Sequence, residues 1–551
     1  MNKNVIFKCR GFLQALCVFP LLGLLSCASV KAPKHVYELP DYTEADVRNE
    51  EIKRISELAK KDAVQALWRA TLLGDKETVA TCAAAVVSEY TAALSENDWF
   101  TALRLYLSLA ACGYDALSSL EKNAEELAVL SKSNVPGLTR VERDESSDAT
   151  KKVSSYINGT VTIWVDRGIK VENGVGYADR VIGSGFFIAK NGYIVTNHHV
   201  ISDLVDKTYE GYARLYIKLA SDSDTRIPAK VIGYDSVIDL ALIKAEVDAP
   251  YVFQLGSSED LDVGDAIYAI GSPVGLERTL TKGIVSAIDR KLFTTGSVMQ
   301  IDAAINSGNS GGPCIDENGL VQAIAFAGML QYEGLNFAIP VEYLKAVLPA
   351  LYHGGEVQHP WLAAYGHTKR SLGKNAGLEV QYVLPAGGAN RAQILPGEVI
   401  SALGGRRITS LEELQNELLR YAAKSVVSVT VQGENEQERE CAVYLAERPK
   451  TPSYTVYTSD LMANSFVPIL GMKLKSVSSL SSRKYAIESV IRGSTADESG
   501  FSENDYVQVQ NVEFNKEHSV AYITIYTKQR KKGYLDVPLA LGVQTDSPYY
   551  F

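Results

Sequence analysis

Apolar residues along the chain follow two rhythms, and the change from one to the other divides it. From about residue 41 to 132 they recur at helical spacing within charged runs, as at Ile52, Ile55, Leu58 and Ala59. That period leaves one buried face per helix. Tyr42-Thr43-Glu44-Ala45-Asp46 opens the stretch, Ala66-Leu67-Trp68 runs into Gly74, and Ala102-Leu103 runs into Gly113. Glycine is the usual helix stop. The two Ala-Leu pairs stand 36 residues apart, near the period of paired-helix repeats. Two copies make a weak repeat, so the expectation is an all-α, repeat-like module, serving partner binding, oligomer spacing or structure alone.

Residues 133–150 turn polar around Pro136-Gly137 and Asp144 to Asp148, which suits a linker. From 151 to 352 short apolar runs alternate with glycines, as at Val181-Ile182, Phe186-Phe187-Ile188, Tyr193-Ile194-Val195 and Ala266 to Ile270. Many short strands predict an all-β barrel or sandwich, with one closing helix at Val341 to Leu351 and a boundary at His353-Gly354-Gly355. Two later segments resemble each other. One runs from Gly388-Ala389 to Gly397-Glu398-Val399-Ile400, the other from Gly493-Ser494-Thr495-Ala496 through Gly500 to Asp505-Tyr506-Val507. Both read as a small turn, a helical piece, a glycine, an acid and a strand. Two copies of one α+β module are therefore expected, over 358–448 and 456–545.

A length of 551 residues demands several domains. The net charge of −10 argues against a nucleic-acid partner, because phosphate binding needs a basic face. Lys3, Lys8 and Arg10 precede an apolar run from Gly11 to Leu25, the pattern of an export signal over residues 1–26. Leu24-Leu25-Ser26-Cys27 resembles a bacterial lipobox, which implies lipid on Cys27 and a membrane tether. Of seven cysteines, Cys9 and Cys17 would leave with the signal, and Cys82, Cys112, Cys314 and Cys441 are scattered. That spacing fits neither a metal site nor a disulfide framework, although a Cys82–Cys112 bridge stays open.

Candidate chemistry lies in the β-rich region. Gly183-Ser184-Gly185-Phe186-Phe187-Ile188 precedes Thr196-Asn197-His198-His199-Val200. Asp235-Ser236-Val237-Ile238-Asp239-Leu240-Ala241-Leu242-Ile243 follows, and then Asp302 to Ile305 with Asn306-Ser307-Gly308-Asn309-Ser310-Gly311-Gly312-Pro313. A serine hydroxyl needs an imidazole to take its proton, a carboxylate to orient that imidazole, and N–H donors for the oxyanion. The glycine-rich turn at Gly308, Asn309 and Ser310 is suited to supply those donors. It also satisfies the G-x-S-x-G pattern of α/β-hydrolases, but there the acid and histidine follow the serine. Here His199 and Asp239 precede Ser310, the order of chymotrypsin-type barrels.

Together with Ala269-Ile270-Gly271-Ser272-Pro273, Thr281 to Ser286 and Gly334 to Pro340, these segments resemble the HtrA, or DegP-like, family of serine proteases. The resemblance implies an all-β chymotrypsin-like double barrel and a triad of His199, Asp239 and Ser310, with no metal or cofactor. His198 is the near rival of His199, and Asp235 of Asp239. It further implies that the two C-terminal modules are PDZ-like peptide binders, the second more degenerate. Expected partners are unfolded proteins or peptides, peptide ligands of the PDZ-like modules, and the membrane. The expected place is the periplasm-facing cell envelope. Family members often carry a short trimer-forming segment where this chain has its helical module, so a homotrimer is implied only by resemblance. A peptide-sensing or chaperone protein with vestigial proteolysis is the alternative reading.

The resemblance places the specificity pocket at Ala304, Asn336 and Phe337. Ala304 lies six residues before Ser310, where trypsin-like enzymes carry an aspartate, so small or medium apolar residues are expected before the scissile bond. In the first PDZ-like module, Trp361-Leu362-Ala363-Ala364 replaces the usual glycine-containing loop. Its ligand is therefore expected to be atypical, or its site closed.

Overall fold

The computed structural model describes residues 31–138, 153–172, 174–207, 209–272, 279–290, 296–306, 308–328, 335–433, 435, 437–477, 483–515, 520–529 and 535–551. The expected signal, Cys27 and most of the 133–150 linker lie outside them. The chain forms two compact units. One holds Leu39–Arg448 with Pro548–Phe551, and the other holds Pro449–Ser547 with the segment ending at Glu38.

The N-terminal module is all-α, with helices α1 (Ala45–Leu58), α2 (Ala63–Leu73), α3 (Lys76–Ser95), α4 (Trp99–Ala111) and α5 (Ala124–Ser133). Its charged punctuation caps helices. Asp62, Asp75 and Asp98 accept the backbone N–H of Gln65, Thr78 and Thr101, while Asn123 and Glu126 form a reciprocal capping box. Each cap contributes about 1 kcal/mol. Gly74, at φ 67°, ends α2 in the left-handed conformation. Cys82 and Cys112 are both buried and free, so the bridge left open by the sequence does not form.

Helix α6 (Val153–Asn158) leads into β1 (Thr160–Glu172), β2 (Val175–Phe187), β3 (Tyr193–Thr196), α7 (His198–Val205), β4 (Arg214–Lys218), β5 (Ile227–Asp235) and β6 (Leu240–Ala245). The strands run in the order β5-β4-β1-β2-β3-β6, and pairing of β5 with β6 closes them into a six-stranded barrel. The chain continues through β7 (Gln254–Leu255), β8 (Ala266–Gly271), β9 (Thr279–Arg290), β10 (Val298–Ile301), β11 (Pro313–Ile315), β12 (Leu320–Gly328) and β13 (Asn336–Pro340). The order β11-β8-β9-β10-β13-β12 is closed by pairing of β11 with β12 into a second barrel. Barrel is thus the outcome where pattern alone left barrel or sandwich. Helix α8 (Val341–His353) covers a shared core with Phe186, Leu240, Leu242 and Ile324.

The first C-terminal module comprises β14 (Gly355–Glu356), β15 (Pro360–Trp361), β16 (Ala364–Ser371), β17 (Lys374–Val383), α9 (Gly388–Arg391), β18 (Val399–Leu403), β19 (Arg406–Arg407), α10 (Leu411–Leu418), β20 (Ser425–Gln432) and β21 (Glu438–Glu447). Its sheet runs β15-β21-β20-β18-β17-β16. The second comprises α11 (Pro452–Ser459), α12 (Met462–Leu470), β22 (Met472–Ser476), β23 (Lys484–Val490), α13 (Thr495–Glu498), β24 (Tyr506–Asn515), β25 (Val520–Gln529) and β26 (Leu535–Gln544). The expected common motif exists, since α9 and α13 each lead into a strand, β18 and β24. The sheets around it differ, because the second is a plain meander from β22 to β26.

Contacts on two sides fix the first module to its neighbours. Strand β14 pairs with β5 of the first barrel. Just beyond it, the His359 Nε2 lies 2.9 and 2.8 Å from the two carboxylate oxygens of Asp235, both side chains buried. On its other side, the indole N–H of Trp68 donates to the Ala442 carbonyl at 2.9 Å, and its ring stacks on Tyr444. The Tyr444 hydroxyl donates to Asp62 at 2.5 Å, so one carboxylate both caps α2 and binds the sheet.

Replacing His359 by Ala leaves the Asp235 carboxylate buried beside a vacated partner, a loss expected to cost about 3–5 kcal/mol. A urea midpoint that does not fall would count against this clamp. Trp68→Ala removes a fully buried indole together with its hydrogen bond and is expected to cost about 3–5 kcal/mol. Limited proteolysis should then release the helical module at protease levels that leave the parent intact.

Candidate active site

Helix α7 begins directly after β3, which sets His199 in its first turn. Asp239 sits in the tight turn between β5 and β6 with φ 58°, a left-handed conformation that is uncommon outside glycine. Both of its oxygens are engaged by one residue. Oδ1 accepts the backbone N–H of His199 at 2.7 Å, and Oδ2 lies 2.6 Å from its Nδ1. The Asn197 side chain donates to the Asp239 carbonyl at 2.8 Å and holds the turn from behind. This two-point contact leaves Nε2 as the ring nitrogen available to a substrate-side proton.

The rivals separate cleanly. The His198 ring is half-buried and stacks on Tyr234, with centroids 5.3 Å apart, and burial pushes its pKa down. Asp235, besides facing His359, accepts the backbone N–H groups of Val237 and Ile238. It shapes the turn that presents Asp239, and the imidazole it meets is His359.

Ser310 lies in the turn before β11. Gly308 has φ 101° and Gly311 has φ 85°, and a Cβ on Gly311 would stand 2.3 Å from the Ser184 carbonyl. Glycine at 311 is therefore a steric requirement. The turn is held by Ser184, a buried residue of β2. Its N–H donates to the Ser310 carbonyl at 2.8 Å, and its hydroxyl donates to the Gly308 carbonyl at 2.6 Å. The same hydroxyl accepts the N–H of Ser272 at 3.0 Å. Ser184 belonged to a sequence segment singled out above without a role of its own, and its partners lie 88 to 126 positions away along the chain.

Of the three expected oxyanion donors, Asn309 is engaged elsewhere, its N–H donating to the Asn306 carbonyl at 2.9 Å. Among the described residues no acceptor engages the N–H of Gly308 or Ser310. The Ser310 hydroxyl donates to the Phe326 carbonyl at 3.0 Å. Among the described residues no hydrogen bond joins it to His199, whose ring instead meets the Phe326 ring edge-on. Ser310 and His199 thus share Phe326 as a neighbour with no hydrogen bond between them among the described residues, a looseness common in unliganded sites.

The expected specificity residues are only partly brought together. The Asn336 amide donates to the Ala303 carbonyl at 2.9 Å, beside exposed Ala304. Phe337 is the next strand residue and so projects from the opposite face, away from a pocket that Asn336 would line. Among the described residues no group of three or more His, Cys, Asp or Glu is assembled in a way that would hold a metal ion. Cys314, behind the turn, is fully buried, and burial pushes its thiol up to about 12, leaving it a neutral core side chain.

Residues 183–324, which include His199, Asp239 and Ser310, match the trypsin-like peptidase domain. Residues 453–545 match the TP0546 family PDZ domain, and residues 46–131 match a domain of unknown function. A probable periplasmic DegP-like serine endoprotease of Hahella chejuensis is 34% identical over 279 residues, covering 48% of this chain and 57% of that protein. Another, of a Marinomonas species, is 32% identical over 348 residues, covering 60% of this chain and 71% of that protein. The chain thus spans between about half and seven tenths of the length of such relatives. Among solved structures, the HtrA-type protease AlgW with a decapeptide is 26% identical, covering 54% of this chain and 98% of that one, with a TM-score of 0.45. With 32% of the aligned residues identical over 71% of the Marinomonas relative, the chain belongs to the DegP-like family of serine endoproteases.

Proposed function

We propose that this protein is a serine endopeptidase of the periplasmic cell envelope that cleaves unfolded or damaged proteins through an acyl-enzyme on Ser310. The observation that carries the proposal is the two-point grip of Asp239 on His199, set across from a serine turn with two N–H donors that no described acceptor engages. In the reaction, the Ser310 hydroxyl leaves Phe326, its oxygen attacks the scissile carbonyl, and His199 Nε2 takes its proton. Asp239 holds the imidazole in the required tautomer and stabilises the imidazolium. The N–H groups of Gly308 and Ser310 receive the developing oxyanion, each contributing about 2.7–4 kcal/mol of barrier lowering. His199 then returns the proton to the leaving amine, and water repeats the cycle on the ester. No step calls for a cofactor.

The lipobox at Cys27 supports anchoring of the exported chain to a membrane by lipid. A homotrimer rests on the family resemblance alone. The position of the Ser310 hydroxyl, turned to Phe326, favours a second reading in which peptide sensing dominates and proteolysis is vestigial.

Labelling by a fluorophosphonate probe separates the two readings. The chain without residues 1–27 should label at one site and cleave casein. Ser310→Ala should abolish labelling and lower turnover by about 10⁶-fold, and Asp239→Asn should lower it by about 10⁴-fold. A folded parent that neither labels nor cleaves, even with a peptide bound to its PDZ-like modules, would establish the sensing reading.

Specificity is tested on a peptide library. With Ala304 six residues before the nucleophile, cleavage should follow small or medium apolar residues, and fastest turnover after Lys or Arg would refute this.

A further inference from the structure

Strand β16 ends the sheet of the first C-terminal module and pairs with β17 on one side only. Its other edge would leave a row of unpaired backbone groups, which folded proteins cover or use. Here residues 548–551 cover it. The N–H of Ala364 donates to the Phe551 carbonyl and that of Phe551 to the Ala364 carbonyl, both at 3.1 Å. The N–H of Gly366 donates to the Tyr549 carbonyl at 3.1 Å, and Tyr365 faces Tyr550 in an antiparallel bridge.

Side chains complete the fit. Phe551 is buried in the module's core beside Leu362, Leu378, Leu411 and Leu414. The Tyr549 ring stacks on His367, with centroids 4.0 Å apart, and the α10 residue Gln415 donates to the Pro548 carbonyl at 2.6 Å. The segment therefore lies along a sheet edge, reaches a helix, and plugs an apolar pocket with its last aromatic ring. This is strand addition, in which backbone bonds supply affinity and pockets for side chains supply selectivity.

We propose that Tyr549-Tyr550-Phe551 is a resident intramolecular ligand of the groove between β16 and α10, occupying the edge that an outside extended peptide would need. The loop Trp361-Leu362-Ala363-Ala364, atypical in sequence, thus forms a working groove that is closed by the chain itself. An external peptide gains the site only by displacing this segment. A tethered ligand acts at an effective concentration of about 1 mM. Such tethering favours the resident segment over an outside peptide by about a hundredfold. The inference is independent of whether Ser310 turns over.

The test compares the full chain with a version ended at Ser547 and with Phe551→Ala, using a fluorescein-labelled peptide Asp-Ser-Pro-Tyr-Tyr-Phe and fluorescence anisotropy. The shortened chain should bind the peptide at least about thirtyfold more tightly than the full chain, and Phe551→Ala should fall between them. A peptide ending in Asp should bind none of the three. Equal affinity in all three chains would overturn the proposal, as would a folded shortened chain that does not bind. A shortened chain that no longer folds would do so too, if Phe551→Ala stays folded yet binds no peptide, because residues 548–551 would then be a structural strand only.

Discussion

The serine turn is held from the opposite barrel, and the rest of the site depends on that constraint. Ser184, on β2, donates to the carbonyls of both Gly308 and Ser310 and accepts from Ser272 at the end of β8. Because these groups are buried, an unmet one would cost about 1–3 kcal/mol, so the barrels are coupled in register as well as by apolar contact. His199 and Asp239 belong to the first barrel and Ser310 to the second. The spacing of His199 from Ser310 is thus set by this seam, where Gly183 and Gly311 let the backbones approach.

A similar economy operates one layer out. Asp235 ends β5, shapes the turn that presents Asp239, and meets His359 of the next module. The connection leaving α8 is therefore pinned to a residue four positions before Asp239 in the sequence. Asp62 plays the same double part on the other side, capping α2 while accepting from Tyr444. In both cases a single carboxylate serves a local turn and a distant partner at once.

Much of this was legible in the sequence, and the divide has a physical cause. Helical period, glycine stops and short glycine-bounded strands are local signals, so the all-α module, the β-rich region and the closing helix at Val341 were readable. The order of His199, Asp239 and Ser310 was readable because each lies in a distinctive local motif. Ser184, His359 and Phe551 were not, since their roles exist only through partners 88 or more positions away. Asn309 was misread for a subtler reason. A glycine-rich turn announces that N–H groups turn inward, but which of them closes the turn on Asn306 depends on dihedral angles that composition does not fix. Phe337 was placed beside Asn336 by resemblance alone, and a local pattern does not say which face of a strand lines a pocket, since neighbouring strand residues face apart.

The union of the helical module with the sheet of the first C-terminal module bears on how such proteins diversify. Trp68, Val426 and Tyr444 share one core with α2, α3 and α4, so the two pieces, though separated by the whole protease domain in the chain, depend on one another to keep that core from water. Recombination that transplanted the 355–448 module alone would carry an uncovered aromatic face into its new host. Gene fusion therefore has to move the beginning and the far part of this reading frame together, or re-engineer that face for water.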